Sequence, residues 1–128
     1  MINSTAFDYV NVLTKAAEAS YQREAILANN ISNVDTPGYK RKDLNFEGVL
    51  SQELGRCKHQ SLDKKISELD TSKLTANVYT DHSNYSYRMD GNNVDIDTEN
   101  VELASEQIKY EALTSSISSQ FSRMKSVL

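Results

Sequence analysis

The chain reads as a mainly α protein in which two long helices, one at each end, pair as an antiparallel coiled coil around a polar middle with short hairpin-like extended structure. Three observations predict this. Apolar or small residues recur in steps of three and four from Ala6 to about Val34. A seven-residue repeat aligns Leu103, Tyr110, Ile117 and Met124 in one row near the C-terminal end. Between these stretches the sequence is polar, with no aromatic residue from Glu47 to Val78.

The N-terminal helix is expected over about residues 5–34, with Phe7, Val10, Leu13, Ala17, Tyr21, Leu27 and Ile31 along its apolar face and one gap at Glu24. Thr5 and Asp8 have the spacing of a capping box, in which each side chain takes an orphan backbone N–H of the first turn. Six alanines among the first 28 residues favour helix and leave room for a close neighbour. The helix must stop before Thr36, because Pro37 drives the preceding residue into extended backbone. Thr36-Pro37-Gly38-Tyr39 then has Pro and Gly where a type II turn needs them, so residues 35–40 form a turn.

Residues 41–93 read as a polar, mobile middle of a single domain spanning 1–128. The cluster Lys40-Arg41-Lys42 is expected to be a solvated loop. Val49, Leu50 and Leu54 suit one short helix. Val78-Tyr79, Tyr85-Ser86-Tyr87 and Met89 suggest short extended segments before the Asp90-Gly91-Asn92 turn. The C-terminal helix is expected over about 97–128, capped by Asp97, with Glu99 and Glu102 near its positive end and Arg123 and Lys125 in its last turn. Leu113, Phe121, Val127 and Leu128 flank the heptad row. Its serines, among them Ser115, Ser119 and Ser122, are mediocre helix formers, so this stretch needs a packing partner.

Composition sharpens that need. Leu, Ile, Val and Phe number 29 of 128 residues, about 23%, just above the ~20% below which charged chains stay disordered. Burial at about 25 cal/mol per Å² has to offset about 1–2 kcal/mol of backbone entropy per residue, so the isolated chain should be marginal, with weakly ordered termini. Phe7, Val10, Tyr21, Phe121 and Leu128 would be completed by neighbouring subunits, since each helix of a pair buries only one seam.

Several chemistries lack their residues. The net charge of −4 repels phosphate backbones, so no nucleic-acid partner is expected. One cysteine and two histidines fall short of a four-ligand zinc site. Counting an EF-hand loop from Asp90 places Val94 where an oxygen ligand belongs. No glycine-rich phosphate loop, nucleophile elbow or paired-histidine motif occurs, so no catalytic residue, cofactor, metal or small-molecule substrate is assigned. No aliphatic run approaches the ~20 residues of a membrane span, and the first fifteen residues lack the apolar core of a cleaved secretory signal.

One segment carries a resemblance. Ala28-Asn29-Asn30-Ile31-Ser32-Asn33-Val34-Asp35-Thr36-Pro37-Gly38-Tyr39 resembles the signature of bacterial flagellar rod and hook axial proteins, with Ser32 where that pattern more often has Ala. Asp90-Gly91-Asn92-Asn93-Val94-Asp95-Ile96-Asp97 resembles the stretch that leads into the C-terminal helix of a proximal rod member. The resemblance implies a non-enzymatic structural subunit, exported from the cytoplasm without signal cleavage and polymerised helically into the periplasm-spanning rod around an export channel. It implies as partners further copies, other rod subunits, the membrane ring, the export gate and a basal adaptor. The alternatives are another axial subunit and, more distantly, a cytoplasmic helical adaptor or chaperone. Asn29, Asn30 and Asn33 are expected to hydrogen-bond backbone groups of the Thr36–Tyr39 turn or of an adjacent subunit.

Overall fold

The structure, a computed structural model, describes residues 5–56, 59–82 and 89–128. Helix α1 spans Thr5–Ser32 and helix α4 spans Ile96–Val127. They pack antiparallel: Tyr21 meets the Tyr110 ring at 6.1 Å, Ser20 reaches Glu106, and Asn30 reaches Glu99. The paired terminal helices and small extended middle are as the sequence predicts. The expected Thr5–Asp8 capping box falls at the edge of the described residues, where Thr5 already opens the helix.

The middle carries the short helix expected around Val49, Leu50 and Leu54, and beyond it is more structured than expected. It folds as strand β1 (Lys42–Asn45), helix α2 (Glu47–Gly55), helix α3 (Leu62–Ser67), a 3-10 turn (Thr71–Lys73) and strand β2 (Asn77–Thr80). Local signals account for the short helices: Ser61 caps α3 by accepting the Lys64 N–H, and Asp70 caps the 3-10 turn by accepting the Ser72 N–H. The two strands pair with each other antiparallel, Lys42 opposite Thr80 and Asn45 opposite Asn77. The extended segment at Val78-Tyr79 therefore finds its partner some 35 residues upstream, not in a local hairpin. Met89 lies in a turn, fully exposed, and Tyr85-Ser86-Tyr87 lie outside the described residues.

The apolar core sits between α1 and this middle, away from the α1–α4 seam. Ala19 packs with Leu44, Phe46 and Leu74, and Val12, Ala16, Ile26, Leu50, Leu69 and Ala76 surround them. The polar insert thus supplies most of this core, because a few well-spaced leucines and one phenylalanine suffice when α1 turns small side chains toward them. Successive residues of a strand point to opposite faces. Leu44 enters this core while Asp43, also buried, faces the seam, so β1 divides an apolar compartment from a charged one.

Helix α4 shows the reverse of an ordinary amphipathic helix. Its buried residues are Glu99 and Glu106, while Val101 and Ile108 are each 68% exposed. Its N-cap is Asp95, which accepts the Asp97 N–H and the Thr98 hydroxyl; Asp97, the expected cap, sits inside the first turn. The extended backbone of Asp95 leaves its carboxylate free to turn onto those donors, two residues earlier than the charge pattern alone suggests.

Candidate functional site

The two signature segments are one structural unit. Helix α1 ends at Ser32, and the chain turns through Thr36-Pro37-Gly38-Tyr39 with Gly38 at φ +70° and the Tyr39 N–H donating to the Thr36 carbonyl, the type II geometry read from the sequence. The Asp90–Val94 segment lies against this turn. The Gly38 N–H donates to the Asp90 carbonyl at 2.8 Å, and the Asn93 N–H to the Tyr39 carbonyl at 3.3 Å. Gly91, at φ +78°, and Gly38 both take the left-handed backbone that side-chain-bearing residues rarely adopt, so a substitution at either would strain the crossing although there is room for a Cβ.

Asn92 holds the turn. It is 1% exposed, and its Nδ2 donates to the carbonyls of Asn33, Val34 and Thr36, each at 2.9 Å, while its Oδ1 accepts the Val94 N–H at 2.8 Å. Carbonyls just past a helix end lack intrahelical donors. Asn92 supplies them from 56 or more residues away in sequence. Its neighbour Asn93 accepts the Arg41 N–H and donates to the Asp81 carbonyl, tying the turn to the strand pair.

Asn30, at 0% exposure, makes a second clamp. Its amide donates to the Lys42 carbonyl at 2.7 Å and accepts the Lys42 N–H at 3.0 Å, so one side chain takes the place of a neighbouring strand. Its Oδ1 also accepts the Tyr39 hydroxyl at 3.0 Å. Only an amide offers the donor and acceptor that this arrangement requires. Asn33 accepts the Thr36 hydroxyl and donates to the Asn29 carbonyl, and Asn29 reaches the Tyr39 hydroxyl. Within the chain, the first of the two expected partners, the turn's backbone, needs correction: these three asparagines grip its side chains and β1, whereas Asn92 bonds its carbonyls.

A charged network backs both clamps. Arg23 donates to Asp43 at 2.8 Å, to Glu106 at 2.7 Å and to Glu102 at 2.9 Å, and Ser20 donates to the second oxygen of Glu106 at 2.6 Å. Arg41 pairs with Glu99, Asp43 and Asp81. Hydrogen bonding to Asp43 first, then to Glu106 and Glu102, raises the Arg23 pKa against the opposing effect of burial. Burial pushes the Asp43 carboxyl up, but the Arg23 guanidinium, the Leu44 N–H and Arg41 outweigh it and hold the group below its ordinary value. Arg41 is half-buried and fully engaged, which corrects the reading of Lys40-Arg41-Lys42 as a solvated loop; Lys40 bonds the Gly91 carbonyl and Lys42 opens β1. Isolated charges inside a fold are costly, so each of these is retained with its partner.

The expected packing residues divide by position. Val10 and Leu27 are buried, Leu13, Leu103, Tyr110, Leu113, Ile117 and Met124 are half-buried, and Phe7, Tyr21, Phe121 and Leu128 are exposed. In the signature, Asn30 is buried, Ile31, Asn33, Val34 and Tyr39 are half-buried, and Ala28, Asn29, Asp35, Thr36, Pro37 and Gly38 are exposed. Sequence reasoning missed Ser20, Arg23, Arg41, Asn92, Asn93, Glu99 and Glu106. One signal pointed to them: Glu99 and Glu106 are seven apart on the side of α4 that carries Leu103 and Tyr110, a seam position where a solvated carboxylate does not belong. Among the described residues no group of His, Cys, Asp or Glu side chains is placed to hold a metal ion, and no helix is long and apolar enough to cross a membrane.

This arrangement builds a rigid corner at one end of a long helix pair, a task of architecture. A model of the "Flagella basal body rod protein" family matches residues 11–40, which cover most of α1 and the turn. The chain is 38% identical to the flagellar basal body rod protein FlgB of Bacillus subtilis over 107 residues, 83% of this chain and 81% of that protein. It is 32% identical to FlgB of Escherichia coli over 114 residues (84% and 83%) and 32% identical to FlgB of Buchnera aphidicola over 122 residues (92% of each). The molecule is thus a structural protein of the flagellar basal body rod class. Within that class the chain belongs to the FlgB family. The family match stops at residue 40, so Asn92 and Glu99, which complete the corner, lie beyond it.

Proposed function

We propose that the protein is a subunit of the proximal rod, polymerising helically through α1 and α4 into a drive shaft that surrounds an export channel and spans the periplasm. Its partners in this reading are further copies, other rod subunits, the membrane ring, the export gate and a basal adaptor, and it leaves the cytoplasm without a cleaved signal. The observation that carries the proposal is the pairing of a hydrogen-bonded corner with a helix pair that leaves large apolar side chains exposed among its polar ones. The Asn92 and Asn30 clamps hold the exit angle of α1 against torque, and exposed Phe7, Tyr21, Phe121 and Leu128 await neighbours. Large apolar groups left in water on a lean monomer are stabilised by burial between subunits.

The test is biochemical fractionation. An epitope-tagged copy that restores motility should copurify with detergent-extracted basal bodies, with its N-terminal residues intact by mass spectrometry. Steady-state confinement to the cytosol would favour the adaptor reading and overturn this one.

A further inference from the structure

The two-stranded sheet is unfinished on one side. The Asp81 N–H donates to the Arg41 carbonyl at 2.8 Å, and Lys42 stands opposite Thr80. In an antiparallel pair every second residue turns its backbone groups toward the partner strand. Asn77, Tyr79 and Asp81 therefore face β1, while Val78 and Thr80 turn their N–H and C=O groups outward. Among the described residues nothing bonds those outward groups. The outer edge of β1 differs: the Asn30 amide takes the N–H and C=O of Lys42, and the Asp43 carboxylate takes the Leu44 N–H. Side chains on both faces of β2 are also in water, with Val78 56% and Tyr79 49% exposed, although Leu44 opposite Val78 is buried. Edge strands are commonly blunted by a charge, a proline or a bulge. The stretch from Thr75 to Thr80 contains no charge and no proline, and its register with β1 is unbroken from Asn77 to Thr80.

We infer that the outer edge of β2 receives an extended, uncharged segment of a different protein as a third strand of the sheet. The inference rests on the rod reading and deepens it by adding a contact made through backbone, away from the helix pair, and by stating the chemistry of its partner. Two features exclude a second copy. Pairing of β2 with another β2 is isologous and closes on a two-fold axis, which a polar helical shaft does not contain. The other strand edge among the described residues, that of β1, is already bonded by Asn30 and Asp43. The partner's chemistry follows from the edge itself. Val78 and Tyr79 offer a branched and an aromatic side chain on opposite faces, which pair well across strands with further branched or aromatic residues. A charged residue set opposite them would lose water and gain no counter-ion. Length sets the regime: four residues at ~3.3 Å each make a contact about 13 Å long and one strand wide, far below the ~1,200 Å² of complexes that persist on their own. The strand is therefore held only where other contacts of the rod keep the partner close, and the isolated protein keeps its edge open.

The test begins with amide hydrogen exchange of the isolated protein by NMR: Val78 and Thr80 should exchange rapidly and Tyr79 and Asp81 slowly. Protection of Val78 and Thr80 in the isolated protein overturns the inference. A photoreactive amino acid is then placed at Val78, and separately at Thr80, in a tagged copy, and cells are irradiated before basal-body purification. Both positions should crosslink to one stretch of a single, non-identical protein. Crosslinks to a second copy, to unrelated stretches, or none at all, from basal bodies that contain the protein, overturn the inference and leave the rod reading standing. Absence of the protein from basal bodies overturns both. In parallel, Thr80→Pro removes an outward donor and sets a ring where the partner's carbonyl belongs, at a position where β1 loses no bond. The variant should keep the circular dichroism and thermal midpoint of the isolated protein while its incorporation into basal bodies falls roughly ten-fold. Thr80→Val, which retains the N–H, should incorporate as the unsubstituted protein does. Undiminished incorporation of Thr80→Pro, or an equal loss with Thr80→Val, overturns the strand pairing.

Discussion

The two halves of α4 are held by different physics. From Ile96 to Lys109 the helix buries Glu99 and Glu106 in paired, hydrogen-bonded positions and is locked to α1, β1 and the signature turn. From Tyr110 to Val127 it has no buried residue; Leu113, Ile117 and Met124 form a half-buried apolar row. The first half is completed within the chain. The second half keeps apolar side chains such as Phe121 and Val127 in water. Where a geometry must not bend, directional polar bonds are used, and where a surface must be shared, apolar and small side chains suffice.

The largest test of this contrast is Arg23→Ala. It removes the closest cationic partner of Asp43 and of the buried Glu106, leaving Arg41 and Ser20 as their remaining partners, so the cost is about 3 kcal/mol in urea unfolding. A loss of that size from Phe121→Ala would break the distinction between the halves. Next comes Asn92→Ala, which leaves the carbonyls of Asn33, Val34 and Thr36 without that donor and should cost about 2–3 kcal/mol. Faster hydrogen exchange at Gly38 and Tyr39 in this variant would locate the damage to the turn.

Acid probes the same half more gently. Asp43 is held below its ordinary pKa in the folded state, so its contribution is fully present above the unfolded value of ~4 and is lost as pH falls through the lower folded one. Urea midpoints should therefore decline below about pH 4, and Asp43→Asn should lower stability at neutral pH while flattening that decline. The smallest effect belongs to the distal half. Phe121→Ala, at a residue 51% exposed, should change isolated-chain stability by no more than about 0.5 kcal/mol, measured by the same unfolding curves, and yet impair assembly scored by motility.

Much of the architecture was legible from local patterns. The 3.6-residue periodicity of α1, the heptad of α4 and the Thr36–Tyr39 turn depend on neighbours within a few residues, and each is found in the structure. The middle was less legible. Leu44, Phe46 and Leu74 are too sparse to announce a core, and they become one only because α1 presents Ala16 and Ala19 to them. Glu99 was read as a partner of the helix dipole, a role that any first-turn carboxylate satisfies, whereas its place is against Arg41.

The sequence by itself determined the two terminal helices, the turn that ends the first and the family to which they belong, because helix periodicity and Pro-Gly turn chemistry are properties of adjacent residues. Tertiary structure alone decided that Asn92 closes the end of α1, that Asn30 stands in for a strand beside Lys42, and that Arg23 and Arg41 gather carboxylates from β1, α4 and the residue that follows β2. The physical reason is that an amide or a guanidinium carries no preference for one partner over another in the chain. Its hydrogen bonds are assigned only when packing brings distant carbonyls and carboxylates within about 3 Å and excludes the water that would otherwise satisfy them.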